Sequence, residues 1–411
     1  MLPEVDLMEY ELRGDYPLSR EEFHERMRMA EEHLFILGLG DAAEEVGRVN
    51  ASLFLAKMHC IQEKLGYKPM GMIIGPPDFT FQTTPHKFRD VIPEGSKIIW
   101  GDGRYDLIPG EMEFDFCGLL AGAVENDISL RKILDRLYEM RDESYEIDGI
   151  EIQLRNFSPG SHFLNLYEVK NYEALSLPKR VAVLHTSSDE MRDPLMDFVQ
   201  EKAEVIETPF GSSHVLQDSN DVREYERQCR YASEFARKKR ILLFKELFGN
   251  GKVIANHNHY ELLNRNEAVI GCNIVNKEGE VFVTTLIDTS PVFLIKGKNN
   301  LSPRIIEELG FDSKITEKWV YNRLVKANIL CHGGGHKLIE IDGIEKVLLY
   351  PNGKKVIVPK YGTEIGTRVY VDMTNTPRTY RSQGILERVQ SLELGEHYAT
   401  LQFTHGIKVD F

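Results

Sequence analysis

The segment Asp221–Phe248 constrains the fold most. Tyr225, Cys229, Ala232, Phe235 and Ala236 recur along it at helical spacing, and Arg237–Arg240 add a basic patch. The spacing predicts one long amphipathic helix. Around it the chain changes period repeatedly. Residues 19–66 read as helical, opening on a capping box of Ser19 and Glu22. Gly38 and Gly40 punctuate the first helix, and a second runs from Asp41 to near Leu65, stopped by Gly66. Met70–Ile74 and Lys97–Trp100 read as short buried strands, and Asp127–Arg141 as a helix. Arg180–Leu184 reads as a strand ending at His185, with a short helix through Leu195–Val199 after Pro194. Ala268–Ile287 is expected to be a hairpin around Asn276–Glu280. Val347–Pro359 is expected to be a second, turning on Pro351-Asn352-Gly353. There is no repeat, no long linker and no βαβ rhythm. The prediction is an α+β fold: one large catalytic domain over residues 76–411, with mixed and antiparallel sheets and surrounding helices. A helical N-terminal region, residues 1–75, is expected in the same globule.

Composition narrows the class. The 411 residues are 42% hydrophobic and 28% charged, which excludes disordered and collagenous chains. No apolar run is long enough for a membrane span, and the acidic N-terminus is unlike a secretory signal, so a cytoplasmic protein is expected. The five cysteines are scattered and form no CxxC, which favours free or metal-bound thiols over a disulfide framework. A formal charge of −14 argues against a general nucleic-acid coat, though not against a local basic groove.

Five places carry metal-type or nucleophilic side chains in tight turns or at strand ends. Asp115 and Cys117 lie two apart between glycines. On an extended segment they would share a face and could reach one ion; the plainer alternative is a buried structural Cys beside a surface Asp. His162 follows the turn Ser158-Pro159-Gly160-Ser161. His185 ends its strand. His257 and His259 flank Asn258 and would share a face if extended. His332 precedes Gly333, Gly334 and Gly335, a backbone able to wrap phosphate oxygens, with His336 after them. Singly, each His is more often a satisfied polar residue than a ligand. Together, imidazoles, a thiolate and a carboxylate suit Mn²⁺, Fe²⁺ or Zn²⁺ and could fill two adjacent sites of the kind that perform phosphoryl chemistry.

The order of these motifs resembles the RtcB-type RNA ligases, the tRNA-splicing ligases. Leu107–Leu120 is similar to that family's Pro-Gly-Gly-Ile-Gly-Phe-Asp-x-x-Cys-Gly segment, shortened by one residue between Asp115 and Cys117. Ser158–Val169 is similar to its Gly-Ser-Gly-Asn-His-Phe-x-Glu-Val, and His185 through Ser188 to its His-Ser-Gly-Ser-Arg. His257-Asn258 matches its His-Asn, and His332–Gly335 resembles its His-Gly-Ala-Gly. Pro377–Arg381 and Gly406–Lys408 resemble its C-terminal motifs. The resemblance runs in order over roughly residues 100–411.

The resemblance implies two Mn²⁺ ions and GTP. Asp115, Cys117 and His162 would bind one ion, and Cys117 would bridge to a second held by His185 and His257. His332 would take a guanylyl group from GTP. Ser161, Asn258, Gly333, Gly334, Gly335 and Lys408 would contact the nucleotide, with Lys408 near the guanine. The implied reaction joins RNA ends bearing a 2′,3′-cyclic phosphate or 3′-phosphate to 5′-hydroxyl ends, in RNA repair or tRNA splicing. A monomer with no membrane partner is expected. Three positions depart from the pattern: Ser161 replaces an Asn, Asn165 a Glu and His336 an Arg. Two other readings remain open: a dinuclear metal-dependent phosphodiesterase or phosphatase, and a non-catalytic RNA-end-binding paralogue. Arg237–Arg240, Lys252, Lys296, Lys298 and Arg378 read either as an RNA-facing strip or as solvated surface.

Overall fold

A computed structural model describes residues 8–125, 128–154, 162–170, 177–286, 291–299, 301–361, 368–381 and 384–407. The chain is mixed in architecture, with helices packed against several sheets. The largest sheet has seven strands. In chain order they are β1 (Gly118–Ala123), β2 (Phe163–Val169), β3 (Arg180–Thr186), β4 (Val253–Asn258), β5 (Val281–Thr285), β6 (Val292–Gly297) and β7 (Gly395–Ile407). Their spatial order is β4-β1-β3-β2-β7-β6-β5, with every neighbouring pair antiparallel. A five-stranded sheet runs Tyr260–Asn264, Glu267–Ile270, Ser96–Ile99, Met72–Gly75 and Leu34–Ile36, its last pair parallel.

The long helix spans Ser219–Phe248 and is capped by Asp218, whose side chain accepts from the Asn220 and Asp221 amides. It lies close on β1. A Cβ at Gly122 would come within 2.3 Å of Phe244, and one at Gly118 within 2.8 Å of the Arg240 guanidinium. Small residues on this face of β1 are therefore what lets helix and strand touch. The predicted N-terminal helices are Arg20–Glu32, with both halves of the Ser19–Glu22 capping box, and Ala42–Lys64, capped by Asp41. Between them the chain forms the strand Leu34–Ile36 instead of more helix. The Ala42–Lys64 helix is buried along nearly its whole length, in a hydrophobic core that also takes in Ile407. Arg381, itself buried, clamps Asp41 through two hydrogen bonds and donates to the Phe79 carbonyl.

The Ala268–Ile287 hairpin does not form. Gly271, at φ +65°, breaks the run. Cys272–Ile274 then pairs with Ile329–Cys331, and β5 pairs with β6. The second hairpin does form, between Ile341–Leu349 and Lys355–Tyr361, with Asn352 left-handed in the turn. No helix among the described residues is long and apolar enough to cross a membrane.

Candidate active site

Four ligand-bearing segments meet at one end of the large sheet. Gly118 opposes Thr186 on one side and Asn258 on the other, and His185 opposes Phe163. Cys117 and His162 thus precede their strands at the same edge where β3 and β4 end. The Cys117 Sγ lies 3.0 Å from His185 Nε2 and 3.2 Å from His162 Nε2. These three ligand atoms all fall within 4.8 Å of one another. Burial, and then the Asp115 charge, push the Cys117 thiol well up, while Arg240 and the Gly118 amide oppose them. A cation among the three side chains would reverse that balance by binding the thiolate.

Asp115 lines the same cavity but lies outside that group. The extended Asp-x-Cys segment expected from the sequence is instead a tight turn. Phe116 is fully buried at φ +54°, and Asp115 Oδ1 accepts the Cys117 amide at 3.0 Å. A left-handed residue between them removes the shared face that strict alternation would give.

His257 does not join the cluster; His259 takes that place. On β4, Asn256 and Asn258 point to the long helix, so His257 faces the other way. Its Nε2 lies 3.0 Å from the Val281 carbonyl and its ring 4.2 Å from that of Phe282. The strand stops at Asn258, and the next residue is turned by its backbone. The His259 amide donates to the Cys117 carbonyl, and its own carbonyl accepts from Cys272. His259 Nε2 then lies 3.3 Å from His185 Nε2, and its ring centroid 4.7 Å from that of His332. Burial first, then the neighbouring His332 and His185, hold His259 well below the ordinary histidine range. Its Nδ1 is buried and meets no hydrogen-bond partner among the described residues.

Asn258 is not available to a ligand. It is buried, accepts from Arg240, and donates to the Ser233 carbonyl and Glu261 at 3.0 Å each. Ser161 and Lys408 lie outside the described residues.

His332 follows the strand Ile329–Cys331 and is held by Asp78, a fully buried residue that the sequence reading missed. One oxygen, Asp78 Oδ2, accepts the amides of His332 and Gly333 at 3.1 and 3.0 Å, and lies 2.9 Å from His332 Nδ1. Burial is the largest influence on His332 and would lower it. The Asp78 carboxylate 2.9 Å from Nδ1, with Glu94 behind it, outweighs burial and leaves it raised. The glycines are required by the protein's own backbone. At Gly335, φ is +62° and a Cβ would fall 2.3 Å from the Asp78 carbonyl; at Gly334 one would meet the carbonyls of Leu286 and Arg381.

These residues share one cavity of about 620 Å³. Asp115, Cys117, His162, His185 and His259 line one part, and His332, Gly333–Gly335 and His336 another. Glu94 and Tyr260 also line it. Tyr260 and Gln82 donate to Glu94, whose carboxyl is raised chiefly by burial. Burial, then the Arg378 charge, lower His336 to about 4. Lys87 and Arg378 are cationic residues of the lining. The Arg237–Arg240 run is not one continuous surface strip, since Lys239 and Arg240 are buried. Arg237 pairs with Glu261, Lys238 with Asp148 and buried Lys239 with Glu190, while Arg240 is 1% exposed. Successive residues on a helix point in different directions, which composition alone does not show.

Compared with known proteins, the chain matches no family model and no curated protein sequence. The donor set therefore carries the chemistry. A thiol and two imidazoles converge, and a further imidazole with an unpartnered nitrogen stands beside them. Those donors fit a borderline divalent ion such as Fe²⁺ or Zn²⁺.

Proposed function

We propose that the cavity is the active site of a metal-dependent RNA ligase of the RtcB type. It would take GTP and join a 3′-phosphate or 2′,3′-cyclic-phosphate end to a 5′-hydroxyl end. One observation carries this reading: His332, with Asp78 against its Nδ1, stands next to His259 in the cavity that also holds Cys117, His162 and His185. In a hydrolase the same histidine would act as a general acid or base and would never carry a nucleotide, which is the difference the labelling experiment reads.

Cys117, His162 and His185 would hold a divalent ion, with His259 and Asp115 within the same lining. When bound, such an ion offsets phosphate charge as a Lewis acid. Asp78, 2.9 Å from Nδ1, would hold a proton on that nitrogen, and the other ring nitrogen becomes a nucleophile once pH exceeds the raised His332 value. That nitrogen bonds to the α-phosphorus of GTP as the bond to the β-phosphate oxygen breaks, and pyrophosphate leaves. Water first opens a 2′,3′-cyclic end to a 3′-phosphate and a 2′-hydroxyl. The guanylyl group passes from His332 to the 3′-phosphate, freeing the imidazole, and attack by the 5′-hydroxyl on that phosphorus expels GMP. Lys87 and Arg378 supply positive charge for phosphates entering the cavity. Radiolabelled GTP with Mn²⁺ tests the reading. The parent protein should become covalently labelled and His332→Ala should not. Equal labelling of the two would refute it, as would ligation that proceeds without any nucleotide.

A further inference from the structure

The Arg240 guanidinium is fully buried, yet no carboxylate pairs with it among the described residues. A buried, unpaired charge is costly, and a residue needed only to fill the core would be apolar. Its donors go to the polypeptide that presents the site. Nη1 reaches the carbonyls of Phe116 and Thr186, at 3.4 Å each. Phe116 precedes Cys117, and Thr186 follows His185. Nε donates to Asn256 Oδ1 at 2.8 Å, and Nη2 donates to Asn258 Oδ1. Those two residues form the last turns of β4 before His259. Gly118, the residue after Cys117, leaves room for the guanidinium.

We propose that Arg240 is a positioning residue of the metal centre: one planar fork of donors sets the spacing of the strand ends that carry Cys117, His185 and His259. The geometry suits arginine alone. A guanidinium spreads its five N–H groups in a plane and can bond three segments at once, whereas a lysine ammonium at the same depth is a point charge. Arg240 touches none of the reacting groups, so its effect passes wholly through the ligands. The inference rests on the metal reading of the cluster and is independent of the ligase chemistry.

The test uses the full chain and Co²⁺ as the probe, without nucleotide or RNA. The parent protein should bind Co²⁺ and show a thiolate-to-cobalt absorption band. Arg240→Lys and Arg240→Gln should retain cooperative unfolding, weaken Co²⁺ binding by about 10–100-fold, as lost support behind metal ligands does, and shift or flatten the band. Asn256→Ala is the milder variant, since Asn256 is only partly buried. It removes one partner of the fork and should give a smaller loss of the same kind in a folded protein. Parent-like affinity and an unchanged band in the folded variants overturn the proposal. Absence of Co²⁺ uptake by the parent protein overturns the metal reading, and this inference with it.

Discussion

Asp78→Asn isolates the anchor of the candidate nucleophile. Asp78 is 0% exposed, and its Oδ2 accepts two backbone amides and lies 2.9 Å from the His332 Nδ1. Its Oδ1 is buried with no hydrogen-bond partner among the described residues. Asparagine can keep one oxygen for the amides but must put its NH₂ where Oδ1 now sits. That NH₂ replaces an acceptor already without a partner, so the exchange itself is nearly neutral, while each of the two amide bonds loses about 1 kcal/mol of charge assistance. The expected loss is therefore about 2 kcal/mol by denaturant unfolding. Part of it depends on pH. Asp78 raises His332, so this contribution is fully present below the unfolded histidine value, roughly 6.5, and fades as pH rises through the higher folded value. The penalty should be larger at pH 6 than at pH 9, and NMR titration should show His332 moving down in the variant. In a His332→Ala background the pH-dependent part should vanish. A penalty under about 0.5 kcal/mol, or one that grows with pH, would refute the assigned contact.

Other outcomes follow from the same geometry. His259→Ala should weaken Co²⁺ uptake at least tenfold, and His257→Ala should leave it within about twofold, measured by titration calorimetry; the reverse order would restore His257 as the ligand. Cys117→Ser should abolish the thiolate-to-cobalt band while the protein stays folded. Gly335→Ala should destabilise the chain by about 1–3 kcal/mol, because a Cβ there meets the Asp78 carbonyl at a positive φ; unchanged stability in denaturant would count against that packing. Lys355 is buried against Phe88 and lowered, chiefly by burial, to about 7. The unfolded chain then binds the extra proton between about pH 7 and pH 10.4, so stability should rise with pH across that window. Lys355→Met should flatten the rise; an identical slope in both proteins would contradict the assignment.

Local pairings were legible in the sequence. Ser19 and Glu22 close their box within one turn, and the stripe through Tyr225, Cys229 and Phe235 faces inward as its period requires. Motifs at strand ends were also readable, since His162 and His185 adjoin apolar runs. What stayed hidden depends on where a strand stops or on distant contacts. Whether His257 or His259 enters the cavity is not a matter of parity, since the two would share a face on an extended strand. It is decided by β4 ending at Asn258, after which the backbone turns His259 toward Cys117 and His185. Asp78 contacts a residue 254 positions away, and its Pro-Pro-Asp-Phe setting looks like an ordinary turn. Arg240 and Lys239 were read as surface because a charge run carries no sign of which way its members point.

The place of β7 in the large sheet has a consequence for how the protein is made. This strand, Gly395–Ile407, lies between β2 and β6, so its backbone ladders join two halves of the sheet that otherwise meet through contacts such as His257 on Val281 and Phe282. One half ends at Cys117, His162 and His185, and the other runs into Thr285 and Leu286 on the cavity wall. During synthesis both halves exist before the strand that unites them. Each carries an unpaired edge until then, a state that invites pairing with another chain. The strand that laces the two sides of the sheet together is thus the last of its seven to be made.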